Sequence, residues 1–488
     1  MGFYIIVETD SKASQQIQDS ILALDPQASL KNFINLEELY AETTKEKITE
    51  PIGLLVAEFS TTKTVREWNE EIAKLRKHFA ADNPEQNQDI QILMSAFDDG
   101  HVSHRALLQL DVNNLIFKPL DPLILKESLN AALNFKKRLS PVEIKSNKSS
   151  ASIGILKDIE VISVSEMGFT TLSDAQLPVG SVSRYFSPIF AYNKKQSVWA
   201  QCIKSAPYPK KENTFVNQFQ YFGVETAFLM TVRKYVAAQK IRKVHDYVIE
   251  LKDAQATLQH RVALLTADTG AAAKLKEDLE HHFAGIGVAI VHFTNVDELK
   301  SRTNLQEFDI VLNMSFLLPD QFSKYFRAEA LHFWLNVKLE DEELRKELAA
   351  FYKDLFYSPL DKSYFYKKLK LHISDLKEKE PSSFLTVSCH EKMKSANLIK
   401  ISEISEVFVN FNYTRELVPK THREFIFITE DETNLVELPG FSHFVEPAQG
   451  EKGKFLHQFV FFGMTDHYLK QIRLWIMQDY ILQNKKES

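Results

Sequence analysis

The phrase Leu115-Ile116-Phe117-Lys118-Pro119-Leu120-Asp121 returns as Leu355-Phe356-Tyr357-Ser358-Pro359-Leu360-Asp361, 240 positions further on. Two other landmarks keep that spacing. Ser165-Glu166 answers to Ser405-Glu406, and Phe222-Gly223 to Phe462-Gly463. Independent landmarks at one offset mark a duplicated chain, and so long a period means repeated domains rather than a solenoid. Elsewhere the copies share little, which marks an old divergence. The chain therefore reads A–B–A′–B′.

At 488 residues there is room for three or four domains of ordinary size. Apolar residues make up 44% and charged residues 25%, enough to build cores and too ordinary for general disorder. The net charge of −6 gives no electrostatic case for nucleic acid. Met1-Gly2-Phe3-Tyr4-Ile5-Ile6-Val7 enters a strand-like run directly, without a basic leader or a long apolar segment. No signal peptide, myristoylation pattern or transmembrane segment is expected, and the location expected is cytoplasmic. Cys202 and Cys389 are too few for a disulfide framework and read as buried thiols.

Unit A, residues 1–138, alternates strand-like runs with amphipathic stretches. Tyr4–Val7, Gly53–Ala57, Ile90–Met94 and Leu115–Phe117 are the strands. Helices are expected through Ile17 and Ile21, over Val65–Phe79, around Ala106–Leu110 and from Leu123 to Phe135. Such alternation implies a parallel sheet with ligand sites at the carboxyl ends of its strands. The Ser95-Ala96 ending of one strand and the Lys118-Pro119 ending of the last resemble a bacterial response-regulator receiver domain. The resemblance implies a CheY-like doubly wound α/β fold. It places Glu8, Thr9 and Asp10 at the acidic Mg²⁺ cluster, Glu58 at the phospho-accepting aspartate, Ser95 at the switch hydroxyl and Lys118 at the phosphate-binding lysine. Phosphoryl transfer there needs a short carboxylate set against a divalent ion. Glu58 is one methylene too long and Thr9 removes one acid, so the site reads as degenerate, a pseudo-receiver. Glu58 either imitates the charge of a phosphoaspartate or fills the pocket.

Unit B, residues 145–235, changes to short β runs punctuated by Pro, Gly and Ser, the pattern of a small antiparallel barrel. Ser163-Val164-Ser165-Glu166-Met167-Gly168 resembles the Asp/Asn-x-Ser-x-x-Gly signature of PilZ domains. The resemblance implies a cyclic di-GMP site at Ser163, Ser165 and Gly168, with the basic cluster Lys136, Lys137 and Arg138 in place of the family's Arg-x-x-x-Arg. Ser163 departs from the pattern, and lysines supply point charges where guanidinium would stack and pair. The alternative for the cluster is a solvated helix end.

Residues 225–260 hold no Gly or Pro and read as a long linker helix joining the halves. Ile241, Val244, Val248, Leu251 and Leu258 form a stripe over 241–258, which suits either a homodimer seam or packing onto the chain's own domains. Residues 261–375 then repeat the receiver pattern, with Thr266-Ala267-Asp268 after the first strand and Asn313-Met314-Ser315 at the acceptor region. Ser358 replaces the lysine. Residues 383–483 repeat the barrel, with Glu403 and Phe408 in the signature, and close on a helix over Asp466–Leu482 packing through Tyr468, Ile472, Trp475, Ile476 and Tyr480.

No His-Glu-x-x-His, glycine-rich phosphate loop or nucleophile elbow is present, and His101 and His104 read as a surface turn. The expectation is two CheY-like doubly wound domains alternating with two PilZ-like antiparallel barrels, in a bacterial signal-transduction protein. It is expected to be a non-enzymatic scaffold that binds other signalling or motility proteins, without cofactor. The alternatives are a cyclic di-GMP effector acting through the first PilZ-like domain and a phosphorylation-controlled response regulator.

Overall fold

The computed structural model describes residues 2–45, 48, 50–59, 63–82, 90–97, 108–149, 151–192, 196–239, 242–245, 260–283, 288–302, 304–314, 325–327, 329–337, 347–372, 384–428 and 435–487. The chain begins with β1 (Phe3–Val7), α1 (Ser11–Leu24), β2 (Ser29–Phe33), α2 (Leu36–Lys45), β3 (Ile52–Glu58), α3 (Val65–Asp82), β4 (Gln91–Phe97), β5 (Asn114–Lys118) and α4 (Pro122–Leu133). Next come β6 (Asn147–Lys148), β7 (Ser152–Ser165), β8 (Gly168–Ser173), β9 (Val182–Phe186), β10 (Ser197–Pro207), β11 (Phe215–Tyr221), α5 (Thr226–Ala238) and β12 (Arg242–His245). A second alternating run holds β13 (His260–Leu265), α6 (Thr269–His282), β14 (Val288–Phe293), α7 (Val296–Ser301), β15 (Ile310–Asn313), β16 (Leu331–Val337), β17 (Asp354–Tyr357) and α8 (Lys362–His372). The last run is β18 (Phe384–Ile404), β19 (Phe408–Tyr413), β20 (His422–Ile428), β21 (Leu435–Pro447), β22 (Phe455–Phe461) and α9 (Asp466–Glu487).

Two compact units result, and only the second is a continuous stretch of chain, inserted between the two segments of the first. The first takes residues 1–156 and 397–488, the second residues 157–396. The long strand β7 leaves the first unit after Leu156, and β18 returns to it at Asn397. The segment expected as one barrel domain, 145–235, is thus divided at residue 156.

In the first unit a parallel sheet has the order β2-β1-β3-β4-β5, the doubly wound arrangement in which ligands bind beyond the carboxyl ends of the strands. β1 is buried along its whole length, as a strand covered on both faces must be. Asp10 caps α1 by accepting the N–H groups of Lys12 and Ala13, and Asp121 caps α4 by accepting those of Leu123 and Ile124. Pro122 begins α4, where its missing N–H costs no bond. One face of the sheet, with Tyr4, Ile6, Leu54 and Val56, is covered by Ile17 and Ile21 of α1 and Leu125 and Leu129 of α4. The other joins a core with Trp68, Ile72 and Leu75 of α3 and with Phe441, Phe461 and Met464.

The same unit holds an antiparallel sheet. Its strands run β18 (from residue 397), β19, β22, β21, β20 and β7 (to residue 156). Its ends meet where Ile401 N–H donates to Ala151 O at 3.0 Å and Ser149 N–H to Ser402 O at 3.2 Å. Trp475 of α9 packs edge-on to Phe427 at 5.1 Å.

The second unit repeats the scheme. Its parallel sheet has the order β14-β13-β15-β16-β17, and its antiparallel sheet joins β7, β8, β11, β10, β9 and β18, with β12 paired to β18.

The long helix expected over 225–260 is not formed. α5 ends at Ala238, Gln239 is extended (φ −73°, ψ 137°), and Arg242–His245 pairs as a strand with Phe384–Val387. Helical periodicity lost to sheet pairing, which satisfies the same backbone groups from outside. Of the proposed seam only Val244 is described, and it lies in β12; Ile241, Val248, Leu251 and Leu258 fall outside the described residues. Of the helix expected around Ala106–Leu110, residues 106 and 107 are likewise outside, and Leu108–Leu110 is a turn and a bend. Tyr480, expected on the packing face of α9, is 58% exposed.

Candidate functional site

β1, β3, β4 and β5 end side by side, and Glu8 just past β1, Glu58 and Lys118 at the ends of β3 and β5, and Ser95 near the end of β4 come to one place. Register pairs Glu58 with Ser95 and Phe97 with Lys118. The ammonium of Lys118 donates to Glu8 Oε1 at 2.5 Å and to Glu58 Oε1 at 2.8 Å, and lies 4.7 Å from the centre of the Phe97 ring. Ser95 donates its hydroxyl to Glu8 Oε2 at 2.5 Å. Glu8 Oε1 also accepts the N–H of Asp10 at 3.1 Å. Thr9 gives Glu58 Oε2 both its hydroxyl and its N–H, the latter at 3.2 Å. Asp10 turns away to cap α1.

These bonds form one connected chain, Ser95 to Glu8 to Lys118 to Glu58 to Thr9. Side-chain exposure is 3% for Lys118, 0% for Glu8 and 19% for Glu58, so the charges are paired out of water. Burial pushes the Glu58 carboxyl upward, but the bonds from Lys118 and Thr9 outweigh it and hold the group below its ordinary range. Each carboxylate oxygen of Glu8 and Glu58 accepts a bond from the protein itself. Among the described residues no group of three or more His, Cys, Asp or Glu side chains is arranged to hold a metal ion.

The sequence-predicted residues Glu8, Thr9, Glu58, Ser95 and Lys118 are thus brought together, and Asp10 is placed beside them as a helix cap. In the second unit the corresponding places carry no charge. Register puts Thr266 where Glu8 stands and Met314, one past Asn313, where Glu58 stands. Leu335 takes the place of Ser95 and Ser358 that of Lys118. Asn313 is buried and donates to the Tyr352 hydroxyl at 3.0 Å.

The second set of predicted residues falls in two units. Lys136, Lys137 and Arg138 belong to the first, Ser163, Ser165 and Gly168 to the second. Within the first unit the basic loop lies against β21 and β22. Leu139 N–H donates to Gln458 Oε1 at 2.6 Å, Phe135 stacks edge-on to His443 at 5.7 Å, and Arg138 lies 3.8 Å from Glu446. Within the second, Ser165 Oγ accepts the N–H groups of Met167 and Gly168, each at 3.2 Å, and donates to Gly168 O at 3.0 Å. Gly168 is required by packing, since a Cβ there would lie 1.8 Å from Phe219 O. Ser163 lines a small cavity with Gln218, Gln220, Leu371 and Thr386. Ser165 and Gly168 thus have structural tasks in the second unit, Arg138 lies beside Glu446 in the first, and no site drawn from both sets lies inside either unit.

Two further polar constellations join a parallel sheet to an antiparallel one, and they match each other at the 240 offset. In the first unit Asn114 holds Gly463 and Phe461, while Arg473 binds Glu406 at 2.6 Å and lies 3.8 Å from Asp121. In the second, Asp354 accepts the N–H of Gly223 at 2.8 Å, and Arg233 binds Glu166 and Asp361, each at 2.7 Å. The sequence held a signal for them. Asn114/Asp354 and Arg233/Arg473 keep the spacing of the other landmarks.

No known protein family matches the chain, and no curated protein matches it. Solved structures do. A signal receiver domain of a two-component histidine kinase from Clostridium thermocellum aligns over 27% of this chain and 97% of its own, at 15% identity and a TM-score of 0.22. A CheY-like response regulator from Mesorhizobium loti aligns over 24% and 100%, at 16% identity and a TM-score of 0.20. A putative two-component response regulator with a GGDEF domain aligns over 78% and 100%, at 8% identity and a TM-score of 0.20. These are structures the chain is similar to. At such values they carry nothing about its activity.

Proposed function

We propose that this chain is a signal-transduction adaptor built from duplicated receiver-like and PilZ-like modules, acting through other signalling or motility proteins without catalysing a reaction. The observation that carries the reading is the commitment of Lys118. In a working phospho-acceptor site the lysine must be available to an incoming phosphoryl group and the acids to a divalent ion. Here Lys118 is bonded to Glu8 and Glu58, and Glu58 is bonded to Thr9. The second unit has neutral side chains in the same places. Support for the duplication comes from hydrogen bonds repeated at the 240 offset, such as Tyr221 N–H to Met167 O (3.1 Å) beside Phe461 N–H to Val407 O (2.7 Å). Among the described residues no helix is long and apolar enough to cross a membrane.

The test treats the purified chain with Mg²⁺ and beryllium fluoride, with Mg²⁺ and acetyl phosphate, and separately with cyclic di-GMP. The expected result is an unchanged melting temperature, no phosphoryl mass on any peptide and no heat of nucleotide binding. Phosphoryl transfer to Glu58 or a neighbour would replace the adaptor with a phosphorylation-controlled regulator. Nucleotide binding abolished by Arg138→Ala with Ser165→Ala would make it a cyclic di-GMP effector.

A further inference from the structure

Cutting the chain anywhere between His245 and His260 defines two halves, and each compact unit draws on both. The first unit takes residues 1–156 from the leading half and 397–488 from the trailing half; the second takes the rest. Polar anchors among the described residues join one half to the other in both units. Asn114 to Gly463, Leu139 to Gln458 and Asp121 to Arg473 do so in the first unit. Asp354 to Gly223, Lys367 to Glu166 and Lys368 to the Tyr221 carbonyl do so in the second. Strand pairing crosses the same divide, Gly154–Leu156 with Glu424–Ile426 and Arg184–Phe186 with Lys394–Ala396.

We infer that the two halves are obligate partners in an internal exchange, each supplying the parallel sheet on which the other's antiparallel sheet is seated. The surface so used is one interface made twice, and the partner it fits is another copy of the same module. Separated, the trailing half would leave the fully buried Asp354 and Lys368 without the Gly223 N–H and the Tyr221 carbonyl. The leading half would leave Asn114 without Gly463 and Phe461. The loss of these hydrogen bonds, together with exposure of apolar cores that are divided between the pieces, opposes dissociation. The inference stands on these contacts and does not depend on the adaptor reading.

A protease site placed between His245 and His260 of the full chain tests it. After cleavage the two pieces are expected to co-elute at the volume of the uncut chain in non-denaturing buffer. Carbodiimide should then join Glu166 to Lys367, 3.0 Å apart, and so rejoin the pieces covalently on a denaturing gel. Should the insertion itself prevent folding, the same coupling on the unmodified monomeric chain, mapped by peptide mass, reads the contact directly, and Lys367→Gln should remove it. Pieces that separate without denaturant overturn the inference. So does a monomer that yields no Glu166–Lys367 coupling while other close pairs couple.

Discussion

Asn114 accepts the backbone N–H of Gly463 at 3.1 Å, and its own amide donates to the Phe461 carbonyl at 3.1 Å. The side chain thereby fixes a turn in which Gly463 has φ +61°, a conformation costly for any residue with a Cβ. Asn114→Leu keeps the branched shape but strands a buried donor and a buried acceptor. The expected loss is about 2–4 kcal/mol of unfolding free energy, from about 1–2 for each orphaned group. Urea denaturation followed by far-ultraviolet dichroism measures it, and a loss near zero would show that the turn needs no anchor.

The counterpart in the second unit is charged. Asp354 holds Gly223 (φ +59°) and is paired with Lys368 at 2.9 Å, both side chains being buried. Burial lowers the lysine's pKa, and Asp354 opposes that fall. The first unit has Asn114 and Ser128 at these two places, so both charges are present together or absent together. Asp354→Asn alone leaves a buried ammonium without its counter-charge and should cost about 3–5 kcal/mol. Adding Lys368→Ser, which copies the neutral arrangement, should recover part of that loss. A double mutant weaker than the sum of its singles would refute the coupling.

The receiver-like cluster makes a third expectation. Lys118→Met leaves Glu8 and Glu58 facing each other without a cation, at a cost of about 3–5 kcal/mol. The sign with pH follows from Glu58. Its carboxyl titrates below its ordinary range in the folded chain, so the stability it contributes is full above the unfolded value and is lost as pH falls through the folded one. Glu58→Asp, tested with acetyl phosphate and Mg²⁺, should still take no phosphoryl group, because Lys118 remains held by Glu8 and Thr9 supplies no second acid. A phosphoryl mass at residue 58 would show that chain length alone had closed the site.

Much of this was legible beforehand, and what was not has physical causes. The strand ends carrying Glu8, Glu58, Ser95 and Lys118 were readable because buried parallel strands are short apolar runs with abrupt ends. β2 was not, since Ser29-Leu30-Lys31-Asn32-Phe33 is an edge strand in which only Phe33 is buried. The stretch after Gln239 misled because periodicity reports what a segment prefers alone, and Arg242–His245 found a distant partner in Phe384–Val387, Arg242 pairing with Val387 and His245 with Phe384. Assignment of each parallel sheet to the antiparallel sheet of the other half left no local mark at all. It depends on β7 and β18 passing from one unit to the other, which no composition or spacing records.

Gly168 separates a packing requirement from a ligand-binding one. A Cβ at this position would lie 1.8 Å from Phe219 O and 2.8 Å from its carbonyl carbon, both backbone atoms of the paired strand β11. Gly168→Ala must therefore spread β8 from β11, and a loss of about 3 kcal/mol or more is expected, at the upper end for overpacking. Thermal unfolding without any nucleotide present measures it. An alanine variant as stable as the parent would return Gly168 to the list of residues kept for a ligand.

His443 gives the chain an acid-sensitive element. Its ring is fully buried, edge-on to Phe135, and burial pushes its pKa from 6.5 down to about 4 against an upward pull from the backbone of Lys137 and Asn134. Unfolding returns the group to its ordinary value, so between pH 6.5 and about 4 the unfolded chain binds the proton and the folded chain does not. Stability is unaffected above that window and falls as pH drops through it, by about 3 kcal/mol at roughly 1.4 kcal/mol per unit. Burial also lowers His332, His422 and His457, which adds to the same slope. Urea midpoints at pH 7 and pH 5 should therefore differ more in the parent than in His443→Phe. Equal pH dependence in the two chains would mean that His443 is hydrated in solution and that the loop from Phe135 to Leu139 does not seal it.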